Sequence, residues 1–185
     1  DQYVITGSPG KGNWASVPWI CIFNRSVTTS AKKGVYIAYL FARDCESVYL
    51  TFMQGCTELR ETLGNSKAIK EMKNAADQVI ANIDSRGFHI GDNIDLKDND
   101  TNGLPYFYER GTIFYKEYKK GQIPSNDVLT SDLKRMVDIY EEYIAKMHRT
   151  NNYDKKEIGG EGTMLVKDIV EYIHKYISAK GFIYD

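Results

Sequence analysis

Most of the residues from which enzymes and metal sites are built are scarce in this chain. Its 185 residues include three cysteines and three histidines. Cys21, Cys45 and Cys56 are too few and too scattered for a disulfide scaffold, and no two form a CxxC pair, which points to a reducing, intracellular compartment. His89, His148 and His174 lie far apart and share no local motif with a cysteine or a carboxylate. That argues against a zinc site and against a Cys–His nucleophile. There is no GxSxG elbow, no HExxH pair and no nuclease signature. The expectation is a non-catalytic chain with no metal and no cofactor. No stretch approaches the roughly 20 apolar residues of a membrane span, and no signal peptide is present. The cytoplasm is the expected location, without a membrane partner.

An excess of one charge is also missing. Twenty-four Lys and Arg face 25 Asp and Glu, so overall balance points to no polyanion. The distribution is uneven, however. Residues 1 to 43 carry Lys11, Arg25, Lys32, Lys33 and Arg43 against Asp1 alone, whereas 92 to 100 hold four aspartates and Lys97. The acidic run reads as a solvated surface.

Residues 5 to 19, ITGSPGKGNWASVPW, have the look of a phosphate cradle. The spacing fails a P-loop, which needs four residues before its Gly-Lys pair and then a Ser or Thr; here only Ser8 and Pro9 intervene, and Gly12 stands in the hydroxyl position. Gly10 to Ala15 fits a dinucleotide fingerprint, but that motif must open a helix. Pro18 prevents one, and 17 to 24 is β-forming.

What the chain has in quantity is aromatic rings: fourteen Tyr, seven Phe and two Trp, concentrated in the basic N-terminal third and between Tyr106 and Tyr118. Rings interleaved with Lys and Arg suit nucleic acid, since each base offers a face for stacking and each phosphate a charge. Equally, such rings simply fill a sheet.

In order, Tyr3 to Thr6, Val17 to Asn24, Gly34 to Ala42 and Val48 to Gln54 read as an antiparallel meander. Both alternating sets of the third strand are apolar, so either helices cover both faces or one face is a working surface. Thr57 to Leu63 reads as a helical turn. Ser66 to Ile83 reads as an amphipathic helix capped by Ser66, with Ile69, Met72, Ala76, Val79 and Ile83 on one face. Gly87 to Leu96 suggests a strand, 97 to 103 a loop, and Thr112 to Tyr118 another strand. Ser125 to His148 is the longest helix, capped by Ser125, with Val128, Leu129, Leu133, Met136, Val137, Tyr140 and Ile144 expected in the core. The fold class is α+β: a twisted, mostly antiparallel sheet with long amphipathic helices against it. Residues 1–155 form the main domain, 156–162 a Gly-rich hinge and 163–185 a C-terminal helix and connector. Because Asp1 already lies in a strand, the chain is expected to be an excised part of something longer.

Gly10-Lys-Gly-Asn-Trp-Ala-Ser-Val-Pro-Trp19, with Thr28 to Tyr36 and the strand to Phe41, resembles the MrcB-like N-terminal domain family, the DNA-recognition modules of McrB-type restriction subunits. The likeness continues through Gly121-Gln-Ile-Pro-Ser125 and the helix after it. Tyr176 to Asp185 resembles the connector that leads into an AAA+ motor in such fusions. The resemblance implies binding of duplex DNA that carries a methylated or hydroxymethylated cytosine, with the base turned out of the helix into a pocket. It also implies a McrC-like nuclease subunit as partner, reached through the motor. By position the pocket residues fall on Trp19, Tyr36, Leu40 and Tyr108, with Phe107 or Tyr106 as alternatives to Tyr108. Tyr36 and Leu40 share a strand face. Lys11, Gly12, Asn13, Lys32, Lys33 and Arg43 are candidates for the DNA backbone. The best-known McrB has a tyrosine where this chain has Lys11, so that residue's role does not carry over. The competing readings are a protein-interaction module that uses the aromatic face without DNA, and an enzyme of unrecognised class.

Overall fold

In the computed structural model, residues 2–10 and 15–151 are described. Strands β1 (Tyr3–Ser8), β2 (Trp19–Asn24), β3 (Val35–Phe41) and β4 (Ser47–Gln54) form the expected antiparallel meander. There follow α1 (Thr57–Leu63), α2 (Asn65–Asn82), β5 (His89–Ile90), α3 (Leu104–Gly111), β6 (Thr112–Lys119) and α4 (Asn126–Asn151). The sheet order is β1-β2-β3-β4-β6-β5, antiparallel at every pairing. The architecture is α+β, as the sequence indicates.

The doubly apolar pattern of β3 has a direct cause. Ile37 and Tyr39 face one core, where Ile20, Ile22, Leu50 and Phe52 meet Leu133, Met136, Ile139 and Tyr140 of α4. Tyr36, Ala38 and Leu40 face a second core with Cys21, Phe23, Tyr49, Met53, Ile94 and Leu96. A long helix covers the first face. The second is covered by an irregular segment and by the end of α3, through Tyr108. Burial on both sides is what continuous β-branched and aromatic runs require.

Five sequence expectations need correction. Helix α2 starts at Asn65 with Gly64 in the cap position, so Ser66 is inside the helix and does not cap it. Only His89 and Ile90 of the expected strand 87–96 pair with β6. The chain then leaves the sheet so that Ile94 and Leu96 can drop onto its second face. The acidic run is accordingly not a purely solvated surface: Ile94 and Leu96 are buried, and the Asp98 side chain is 5 % exposed beside Arg43. Val128, expected in the core, is 41 % exposed, because the buried stripe of α4 begins a turn later at Leu133. Helix α3, which begins Leu104-Pro105, was not expected at all. Ser125, by contrast, sits where anticipated, its carbonyl accepting the amide of Leu129. The hinge 156–162 and the connector 163–185 lie outside the described residues.

Candidate nucleic-acid interface

The candidate site grows out of strand register. On the second face of the sheet, Trp19 of β2 pairs with Leu40 of β3, and Leu40 with Tyr49 of β4. Two residues along, Thr6, Cys21, Ala38 and Thr51 form a row across four strands. Two residues further, Phe23 and Tyr36 meet edge to face at 5.1 Å, and Tyr36 pairs with Met53. Side chains two apart share a face, so a row of small residues lies between two rows of large ones. Such a sequence of sizes leaves a hollow over the small row unless something fills it.

A cavity lies there, lined by Trp19, Cys21, Ala31, Tyr36, Leu40, Met53 and Tyr108. The four pocket residues implied by the resemblance are thus brought together on one wall system. Tyr108 is the α3 aromatic that reaches the cavity, whereas Phe107 is buried with Cys56 and Met72, and Tyr106 packs beside that cluster. Sequence reasoning missed Cys21, Ala31 and Met53. The signal for Cys21 was the alternation Trp-x-Cys-x-Phe opposite Tyr-x-Ala-x-Leu, which becomes informative only once the register is known.

Tyr36, Leu40, Cys21 and Met53 are fully buried, while Trp19, Ala31 and Tyr108 are part-exposed and so form the solvent side. The Tyr36 hydroxyl donates to the Ala31 carbonyl at 3.0 Å. Burial pushes the Tyr36 and Cys21 groups well above their usual pKa values, so both stay neutral at physiological pH. Burial likewise raises the Tyr108 phenol, with the Trp19 side chain beside it opposing the shift. These two rings stand on the solvent side. The enclosed volume is about 10 Å³, space for no more than one water. Entry of a flat ring would require Trp19 and Tyr108 to part.

The described basic candidates flank strand β3. Lys32 and Lys33 directly follow the Ala31 wall and are exposed, with Lys33 paired to Glu58 at 3.3 Å. Gly55 permits this arrangement: a Cβ there would lie 2.4 Å from the Lys33 backbone nitrogen, so any larger residue would push the lysine loop off the end of β4. Arg43, past the other end of β3, is exposed but held 3.5 Å from Asp98. The seven residues of β3 put roughly 20 Å between the two groups, enough to reach different phosphates. Lys11, Gly12 and Asn13 lie outside the described residues. The ends of their loop are tied by the Ala15 amide donating to the Pro9 carbonyl at 2.7 Å, just ahead of Trp19.

The family model described as "MrcB-like, N-terminal domain" matches residues 1–145. The chain belongs to that family. It is therefore a McrB-type N-terminal module, and membership carries DNA binding within a restriction system as its implied setting. A search of curated proteins finds no match to this MrcB-like chain. Among the described residues of the module, no group of three His, Cys, Asp or Glu could hold a metal ion. No helix among them is long and apolar enough to cross a membrane.

Proposed function

We propose that this MrcB-like domain reads a modified cytosine in duplex DNA by accepting the base, turned out of the stack, into the cavity between Trp19 and Tyr36. The observation that carries the reading is the convergence of Trp19, Tyr36, Leu40 and Tyr108 on one cavity with cationic loops at both ends of β3. Extrusion of a base costs a few kcal/mol, which stacking and edge hydrogen bonds offset. Here the Trp19 and Tyr108 rings supply stacking surface. Lys32, Lys33 and Arg43, with Lys11, Gly12 and Asn13 of the glycine loop, supply backbone contacts that fix register without reading sequence. The domain itself carries out no chemistry. It acts in the cytoplasm as the recognition arm of a protein whose AAA+ motor engages a McrC-like nuclease, a role supported by the likeness of 176–185 to a motor connector.

Equilibrium binding to duplexes that differ at a single cytosine tests this. The methylated duplex is expected to bind more tightly than the unmodified one. Trp19→Ala should reduce that preference by about tenfold, since base–aromatic stacking contributes about 1–3 kcal/mol, while affinity for unmodified DNA changes little. Equal affinity of the wild-type chain for modified and unmodified duplexes at moderate salt would falsify the reading.

A further inference from the structure

We infer that Cys21 sets what a cytosine can carry at its 5-position into this cavity: a compact apolar group such as methyl is admitted, and hydroxymethyl is disfavoured. The inference rests on the base-pocket reading above and goes beyond it by naming a discriminating residue and the chemistry it selects.

Three observations support it. First, the hollow exists because Cys21 and Ala38 form a rung of small side chains between the Trp19–Leu40 rung and the Phe23–Tyr36 pair, so the sulfur of Cys21 is a floor atom. Second, the hydroxyl donors around that floor are already used. Tyr36 donates to Ala31, and the Thr51 hydroxyl, on the same small row, donates to the Ala38 carbonyl at 3.0 Å. Leu40 and Met53 have no strong donor or acceptor. Third, Cys21 is 2 % exposed, and its thiol has no hydrogen-bond partner among the described residues. A thiol is a weak donor and a soft, polarisable surface, well suited to a methyl group.

The orientation of the base follows from where the strong polar groups are. Trp19 and Tyr108 form the part-exposed, polar-tipped side of the cavity, so the polar edge of a cytosine turns towards them. Its C5–C6 edge, opposite on the ring, then faces the Cys21 rung. A methyl group there gains apolar contact. A hydroxymethyl loses its water and its oxygen finds no free donor at the floor except the weak thiol, a penalty of about tenfold in affinity.

The test uses the 185-residue chain and three duplexes that carry cytosine, 5-methylcytosine or 5-hydroxymethylcytosine at one position. The wild type is expected to bind the methylated duplex about tenfold more tightly than the hydroxymethylated one. Cys21→Ser, which replaces a weak hydrogen-bonding group with a strong one at nearly constant volume, should shrink that ratio about three- to tenfold. An unchanged ratio in a folded Cys21→Ser protein overturns the inference and leaves the base pocket standing. A wild type that binds all three duplexes equally overturns the base pocket itself. Because a buried serine could prevent folding, a second measurement uses the wild type: the rate of Cys21 alkylation, read by mass spectrometry, in complexes saturated with methylated or unmodified duplex. The methylated duplex should slow it at least several-fold relative to the unmodified one. Equal rates in the two complexes overturn the assignment of Cys21.

Discussion

Asp132 is a carboxylate withdrawn from water in α4, its side chain 3 % exposed, and it survives there because three donors surround it. Lys116 approaches to 2.6 Å, Arg135 to 2.5 Å, and the Tyr118 hydroxyl donates at 2.8 Å. Burial alone would raise its pKa, but these hydrogen bonds from Lys116, Arg135 and Tyr118 outweigh burial and hold the carboxyl below the usual carboxylate range. A group whose pKa is depressed by folding stabilises the native state above its unfolded pKa and loses that contribution as pH falls through the folded value. Asp132→Asn should therefore cost about 3 kcal/mol near pH 7, where the wild-type charge is fully paired. The gap between variant and wild type should narrow steadily below about pH 4. Urea unfolding at pH 7 and pH 3 measures both, and a gap independent of pH would show that the charge of Asp132 contributes nothing.

At the level of elements, how much could be read in the sequence depended on periodicity. β1 to β4, β6, α1, α2 and α4 were legible because their side chains follow strand or helix spacing between clear turn signals. Helix α3 was not: Tyr106-Phe107-Tyr108 is β-favouring in composition, and eight residues starting Leu104-Pro105 give too little helical repeat to outweigh it. The segment 91–97 was misread for a related reason. Ile94 and Leu96 alternate with aspartates as a strand would, yet they plug the sheet from above without pairing to it. The pocket side chains were legible only by family likeness, and the hollow between them only from cross-strand register.

Helix α3 also decides where Tyr108 stands, and its last residue shows how. A Cβ at Gly111 would lie 2.7 Å from the Gln54 carbonyl oxygen and 3.0 Å from the terminal methyl of Met72. Gly111→Ala must therefore push the end of α3 away from β4. The expected loss of stability is about 1–3 kcal/mol, with a larger relative loss of modified-base preference because Tyr108 moves with the helix. Thermal melts alongside duplex binding check the pair of effects. Reduced stability with intact preference would show that the placement of Tyr108 is insensitive to α3.

Across the whole molecule, two of the cations proposed to contact DNA are not free charges waiting for phosphate. Arg43 is paired with Asp98, and Lys33 with Glu58. Asp98 is held in place by more than Arg43: it accepts a hydrogen bond from the Asp100 amide at 2.9 Å, and that bond is the leading reason its carboxyl stays below the usual range. On the proposed reading, a fixed anion beside Arg43 competes with phosphate for it, which would lower non-specific affinity and raise the share of binding that depends on the base in the cavity. Asp98→Asn removes the anion while leaving a side chain able to keep the turn. It should tighten binding to modified and unmodified duplexes by the same factor, with log affinity falling more steeply against log salt by up to roughly one unit, the signature of one additional phosphate contact. A protein-docking surface would show no such slope in either protein. Titrations at several salt concentrations distinguish the outcomes, and a change in the ratio of modified to unmodified binding would mean that the acidic segment takes part in reading the base and is more than a brake on Arg43.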